Sequence, residues 1–593
     1  MDNKRTAAFV KKEWVDNVLP SLMDFIRVPN LSPAFDEAWD ANGHQLTAFD
    51  LVKSWAEAQG LENCTIELLK EEGRTPLLFI EVEPHESEQS CMLYAHIDKQ
   101  PPMGDWADGL GPCQPVVRDG KLYGRGAVDD GYGFYASVLA VKALQEQGLP
   151  CPRIVMLFEG CEESGSRDLP HYMDRLSERI GSPDLIVCLD AGCGNCTLRP
   201  SLDGVTLHLF AHDPLSHSCA DEQLWMTTSL RGVSNVVLNV QMLEDGIHSG
   251  NSGIPPSSFR ICRQLLSRVE DEKTGLVVPK EFWTEIPESR LSQVSAAGEI
   301  LGDMVVRQFP FVEGGHPVAK DAPISEHILA RTWRPALSVT GADGLPATAI
   351  AGNVMLPYTN LKLSMRLPPT LDATQAAKDL ERILTADPPQ GAHVSVEHEH
   401  AGNGWHAPLE AEWLNQAVHT ASLTYFDRPC AHLGEGGSIP FMGMVSQRSV
   451  STAVICDVIR QSQSPQPPVT TRSPHTERCC QQLLDMFPKA QFLVTGAAGP
   501  GNNMHAPNEN LHIDYSARLA MCVSQIVGTL ATIPRGGAEG AEAGATGQKP
   551  KSFLDSFQQS GGNSQFFVGC DCGTAGCVIF DQGKEVAICP VAS

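Results

Sequence analysis

Six acidic or imidazole side chains, far apart in the sequence, are of the types that together do hydrolytic chemistry. His96, Asp129, Glu162, Glu163, Asp190 and His505 each fall just after a predicted strand or just before a predicted helix. Histidine mixed with carboxylates is the donor set of a hydrolytic zinc site, whereas an all-oxygen set would suit magnesium or calcium. One carboxylate can bridge two ions, so five ligands suffice for a pair. His96, Asp129 and Asp190 would surround one ion; Asp129, Glu163 and His505 would surround the other. Glu162 is then left over as a general base towards a metal-held water. Asp98 stands two residues beyond His96, on the same side of an extended chain, where a carboxylate can orient the imidazole through its second nitrogen.

Such groups need strands to carry them, because open α/β sheets bind ligands beyond the carboxyl ends of their strands. The apolar run 91–95 predicts a short buried strand that delivers His96 and Asp98. Further strands are expected at 65–69, 77–82, 153–158 and 185–189, and helices at 9–28, 45–59 and 134–147. From residue 224 the texture changes. Two half-exposed strands (224–230 and 236–242), a helix at 257–269, a proline-punctuated stretch to about 346, strand 360–366, helix 373–384 and strand 393–399 suggest an inserted two-layer α+β unit. The α/β pattern then resumes with helix 409–424, strand 491–494 and a last helix at 516–530. The expected fold is α/β, a mixed central sheet flanked by helices, with an inserted α+β lid or dimerisation domain.

Composition agrees with a large globular protein. At 593 residues the chain is too long for one ordinary core. Its formal charge of -27 repels nucleic acid and anionic membranes, which makes both unexpected as partners. The mean hydropathy is -0.14, no apolar run is long enough to span a bilayer, and the first residues lack a signal-peptide core. A cytoplasmic protein is the expectation. The 19 cysteines are scattered through apolar runs and read as reduced core residues.

Seven sequence pieces, in order, carry a resemblance. They are His96-Ile97-Asp98 with Pro101; Tyr123-Gly124-Arg125-Gly126 leading to Asp129-Asp130; and Glu159-Gly160 followed by Glu162-Glu163-Ser164-Gly165-Ser166. Then come Asp190, His248-Ser249-Gly250, Gly436-Gly437-Ser438-Ile439-Pro440 and His505-Ala506-Pro507-Asn508-Glu509. The chain resembles, over residues 5–533, the co-catalytic zinc peptidases that include carnosinase-like cytosolic dipeptidases, aminoacylase, carboxypeptidase G and succinyl-diaminopimelate desuccinylase. The resemblance implies two Zn2+ per chain (with Mn2+ or Co2+ as substitutes), held by the five ligands named above, with Asp98 behind His96 and Glu162 as base. Asp129 and Asp130 compete for the bridging place; Asp129 is favoured because its interval of 33 residues from His96 is the one expected of carnosinase-like members. The resemblance also makes His248 the residue that reaches a partner's active site in a homodimer and stabilises the oxyanion. Arg366, with the backbone of Gly436, Gly437 and Ser438, would hold the substrate's terminal carboxylate. Gly-rich though it is, that loop is no phosphate cradle, since no Gly-Lys-Ser/Thr follows it.

The domains expected are therefore a first catalytic part at 1–200, a lid or dimerisation domain at 224–400 and a second catalytic part at 401–535. Residues 201–223 and 445–482 stand out as atypical insertions, and 536–593 as a flexible linker and tail. Cys570, Cys572 and Cys577 in that tail fit no standard zinc spacing. The function expected is hydrolysis of dipeptides or short peptides with a free C-terminus. Its alternatives are N-acyl-amino-acid deacylation at the same site and a non-catalytic scaffold.

Overall fold

The computed structural model describes residues 1–194, 222–446, 487, 489–534, 577–581 and 584–589. The chain divides into a unit of residues 1–540 and a second of 541–593. In the second unit Cys577–Asp581 pairs antiparallel with Lys584–Cys589. The atypical stretches as far as residue 221 and from 447 to 482 lie outside the described residues, as do Cys570 and Cys572.

A six-stranded sheet organises the larger unit. Its order is Cys64–Leu69, Leu77–Val82, Arg153–Glu159, Ser90–His96, Leu185–Cys188 and Gln491–Val494. The last four run parallel, while Leu77–Val82 is antiparallel to both of its neighbours. Ser90–His96 is central and buried on both faces, which is why its sequence is continuously apolar rather than alternating. Leu93 and Ala95 enter one core with the helices Tyr132–Gln145 and Ile513–Ala531; Met92 and Tyr94 enter a second core on the opposite face. Each fully buried large side chain of this kind contributes about 1.5–3 kcal/mol, so the sheet is anchored from both sides.

The inserted segment has its own four-stranded antiparallel sheet, ordered Ala336–Asp343, Tyr358–Leu367, Gly232–Gln241 and His393–Gly402. Helices Ser258–Leu266 and Ala373–Thr385 cover one face through a separate core that includes Leu238, Leu363 and Leu380. This is the two-layer α+β arrangement that the pattern suggests.

Three expectations need correction. Residues 224–230 are not half-exposed: every residue of Trp225–Leu230 is buried. That strand lies between Trp405–His406 and Ala431–Glu435, outside the inserted sheet. The proline-punctuated stretch holds two full helices, Glu288–Leu301 and Ile324–Thr332, with Pro287 and Pro323 at their N-caps. The helix at 9–28 is also interrupted, by a π turn at Trp14–Val18 just before Pro20. The cysteines whose side chains are described are all free, and all but Cys64 and Cys113 are buried, as reduced core residues should be.

Candidate active site

The parallel strands converge their carboxyl ends on one place. Ser90–His96 ends in His96, Arg153–Glu159 leads into a turn that starts at Glu162, and Leu185–Cys188 leads to Asp190. Beyond Gln491–Val494, Gly496 packs so closely on residue 191 that a Cβ there would lie 1.7 Å from the Ala191 carbonyl oxygen. The chain then turns into the loop bearing His505, whose backbone is left-handed at φ +62°. A non-glycine residue held so is strained, and such strain tends to mark functional sites.

The predicted ligands come together. His96, fully buried, points Nε2 at Asp129 Oδ1 (3.1 Å), Asp190 Oδ1 (3.9 Å) and Glu162 Oε2 (4.0 Å). His505 Nε2 lies 2.7 Å from Asp129 Oδ2 and 3.4 Å from Glu163 Oε1. Asp129 thus faces both imidazoles, one oxygen to each. Asp130, its rival, instead accepts from the His96 backbone N–H at 3.4 Å. Asp98 sits behind His96, 3.4 Å from Nδ1, and its two oxygens accept the backbone N–H groups of Glu162 and Glu163, at 3.1 Å each. Asp98 therefore fixes the imidazole, through its backbone carbonyl (3.1 Å from Nδ1) with the carboxylate close by, and through the carboxylate it fixes the turn that carries both glutamates.

Among the described residues, three sets offer ligand atoms all within 4.8 Å of one another: His96, Asp129 and Asp190; Asp129, Glu163 and His505; and His96, Glu162 and Glu163. The first two are the pair of ligand sets expected from the sequence; the third adds Glu162 as a competing donor. Electrostatics fit a cationic occupant. Burial, then the neighbouring Asp190, pushes the Glu162 carboxyl well above its ordinary range. Burial also raises Asp190 and Glu163, to which Asp129 adds repulsion. Although burial opposes it, the two imidazoles hold Asp129 far below the usual range. His505 in turn is lifted to about 11, the Asp129 and Glu163 carboxylates outweighing the effect of burial. Glu163 Oε1 is buried with no hydrogen-bond donor. Four crowded carboxylates and two imidazoles, with an acceptor oxygen left over, suit divalent cations better than any neutral filling.

The four carboxylates and His505 line a cavity of about 620 Å³ together with Arg231, Arg366, His400, Glu435, Gly436, Gly437 and Ser438, and His96 lies buried beneath it. Arg366 projects from Tyr358–Leu367, forms no ion pair among the described residues, and has its pKa lowered by burial. His248 is elsewhere: exposed on the short strand Ile247–His248, it accepts the Gly250 N–H at Nδ1 (3.0 Å) and does not line this cavity.

Sequence reasoning missed Arg231, His400 and Glu435. Arg231 is 8% exposed and donates to the backbone carbonyls of Gly436 (3.2 Å), Ala330 (3.3 Å) and Arg334 (3.2 Å). Burial, then Arg366 and Arg331, lowers it to about 9. Glu435 had a signal, its place inside the glycine loop; Arg231 and His400 had none beyond standing next to or near a strand end.

Comparison with known proteins gives a consistent picture. A family model described as peptidase family M20/M25/M40 matches residues 92–529. A cysteinylglycine-S-conjugate dipeptidase of Corynebacterium striatum is 24% identical over 447 residues, 72% of this chain and 78% of that protein. The human Beta-Ala-His dipeptidase is 27% identical over 327 residues, 52% of this chain and only 56% of the relative. Among solved structures, the di-peptidase Dug1p of Saccharomyces cerevisiae aligns over 90% of this chain and all (100%) of its own, with TM-score 0.66 and 17% identity. Human carnosine dipeptidase 1 aligns over the same shares, 90% and 100%, with TM-score 0.63 and 17% identity. At that identity the structural likeness speaks for the fold.

Proposed function

The chain belongs to peptidase family M20/M25/M40, a family of metallopeptidases, and from that premise we propose that it hydrolyses the peptide bond of dipeptides or short peptides with a free C-terminal carboxylate. The observation that carries this reading is the one cavity shared by the cluster Asp129, Glu162, Glu163, Asp190 and His505 and by Arg366, which has no ion-pair partner among the described residues. His96, Asp129 and Asp190 would hold one zinc ion, and Asp129, Glu163 and His505 a second. When bound, such ions polarise the scissile carbonyl and make water a nucleophile at neutral pH.

The protein's own groups do the rest. Arg366 pairs with the substrate's terminal carboxylate, and the backbone N–H groups of Gly436, Gly437 and Ser438 add to its hold. That anchor sets the register and favours short substrates. Glu162, which lines the cavity beside the ligand candidates, accepts the proton of the attacking water and returns it to the leaving amine. His248 from a second copy of the chain supplies a hydrogen bond to the tetrahedral oxyanion, a donor typically worth about 3–4 kcal/mol; that it is exposed and does not line the cavity of its own chain favours that reading. A homodimer formed through the inserted segment, and a cytoplasmic location, belong to the same proposal. No helix among the described residues is long and apolar enough to cross a membrane.

N-acyl-amino-acid deacylation would use the same machinery, and a scaffold would use none of it. The test is metal analysis of the purified chain with a dipeptide panel and a matched panel of acetylated amino acids. About two zinc equivalents with turnover of unblocked dipeptides supports the proposal. Turnover of acetylated amino acids alone would replace it with the deacylase, and absence of metal uptake after reconstitution would replace it with the scaffold.

A further inference from the structure

Two residues of the sequence motifs have no part in the chemistry above, yet are among the most deeply placed charges in the molecule. Arg125 is 3% exposed and Glu509 is 0% exposed, and they form a direct ion pair. Their remaining bonds go to the loops that carry metal-ligand candidates. Glu509 Oε1 accepts the N–H groups of Gly126 (2.9 Å) and Val128 (3.3 Å), the residues leading into Asp129. Arg125 Nη2 donates to the Ala506 carbonyl (3.3 Å), next to His505, and to the Pro101 carbonyl (3.2 Å), beyond His96 and Asp98. Three loops therefore meet on one pair of side chains.

The backbones so held are ones that would not hold themselves. Gly126 has φ +81°, and a Cβ there would come within 2.5 Å of Lys99 Cε. Asn503, His505 and Asn508 are all left-handed non-glycine residues, at φ +54°, +62° and +64°. Such conformations persist only where the surroundings over-determine them. Strand pairing supplies part of that, through Lys121–Tyr123 against Asn510–His512, but it stops short of both ligands. From Tyr123 to Asp129, and back from Asn510 to His505, the Arg125–Glu509 pair is, among the described residues, the one side-chain ion pair between the two segments besides the contact of the ligand candidates His505 and Asp129 themselves.

We propose that the Arg125–Glu509 pair is a positioning device that aims Asp129 and His505 at a common cation, and so sets the affinity of the Asp129–Glu163–His505 site selectively. This rests on the metal-site reading above. Neither residue touches substrate or metal; they act through the loops. The His96–Asp190 side has other support: His96 is fixed by its strand and by Asp98, and Asp190 by a bridge to Gly496.

The experiment uses the full chain, stripped and reloaded with zinc, and titrated against a chromophoric chelator. Wild type is compared with Glu509→Gln, Arg125→Lys and the double variant. Glu509→Gln keeps an acceptor for Gly126 and Val128 but loses the ion pair to Arg125. The expected result is that wild type binds two ions, while each single variant binds one about 10- to 100-fold more weakly and the other, which shares only Asp129 with the displaced loops, more weakly by a clearly smaller factor. The double variant should be no worse than the weaker single one, since the two residues act as a unit. Cobalt reconstitution should show one band set altered more than the other, which general destabilisation would not produce. Wild-type affinity for both ions in the single variants, equal weakening of both ions, or loss of the fold in both variants would each overturn the proposal. If wild type itself takes up no cation, the metal-site reading has failed and this inference falls with it.

Discussion

Replacing Glu162 by glutamine separates proton transfer from everything else the site does. The turn that presents Glu162 is tied by its backbone N–H to Asp98 Oδ1 at 3.1 Å, a bond that a side-chain change leaves alone. Glutamine has the same shape and reach, but it cannot take a proton from water. The five other ligand candidates keep their mutual contacts, so the metal content should stay at the wild-type level and KM should change little. General acid–base catalysis is worth about 100- to 10,000-fold, which at about 1.4 kcal/mol per decade is roughly 3–5 kcal/mol of transition-state stabilisation. The loss should appear wholly in kcat, measured as amino acid released from a good dipeptide, with zinc counted on the same samples. A kcat loss smaller than about tenfold would remove Glu162 from proton transfer. A large loss accompanied by loss of metal would instead make Glu162 a ligand, in the set it forms with His96 and Glu163.

Three further outcomes follow from the same geometry. Arg366→Met should cost the charge-assisted contact to the substrate carboxylate, about 1.5–3 kcal/mol or roughly 10- to 150-fold in kcat/KM. A C-terminally amidated dipeptide should be nearly indifferent to that change, and equal losses on the two substrates would refute the role. His248→Ala should lower kcat about 100- to 1,000-fold, and mixing it with inactive Glu162→Gln should restore activity in hybrid dimers; no recovery on mixing would show that His248 does not act between copies. Glu159 predicts a pH effect on stability. It is buried, and burial raises its carboxyl from 4.5 to about 7 despite the hydroxyls of Tyr94 and Ser166 that donate to it. The folded state therefore binds this proton more tightly than the unfolded chain does. Its contribution is complete below the unfolded value of 4.5 and is lost as pH rises through about 7. The difference of 7 − 4.5 = 2.5 units corresponds to about 3 kcal/mol at most. Glu159→Gln should remove that slope in denaturant unfolding of chelator-treated protein between about pH 5 and pH 8, and an unchanged slope would contradict the assignment.

What could be read in the sequence was whatever depends on local pattern. The central strand announces itself because burial on both faces leaves no polar position before His96. The ligand candidates are visible because each sits at a strand end, and the sheet then brings those ends together. Trp225–Leu230 misled because Thr227, Thr228 and Ser229 look like a solvent-facing stretch, whereas the strand is enclosed by two neighbours and Thr228 Oγ1 donates to the Leu433 carbonyl at 3.5 Å. The helices after Pro287 and Pro323 were missed because those prolines read as breaks, although each stands at an N-cap, where proline costs a helix nothing. Arg231 and His400 could not have been found locally. Their place in the cavity is created by contacts with residues remote in sequence, such as the Gly436 carbonyl that Arg231 holds.

The outermost parallel strand of the main sheet, Gln491–Val494, pairs with Leu185–Cys188 although most of the inserted and second catalytic segments lie between them in sequence. A ribosome making this protein therefore emits His96, Asp129, both glutamates and Asp190 long before the strand that closes the sheet and the histidine that follows it. Until residues 491–494 have emerged, the buried strand Leu185–Cys188 is itself the edge of the sheet, a natural place for chaperone capture or mispairing. The nascent polypeptide also lacks one of the two imidazoles. Products that terminate before His505 would lack one member of the proposed metal site.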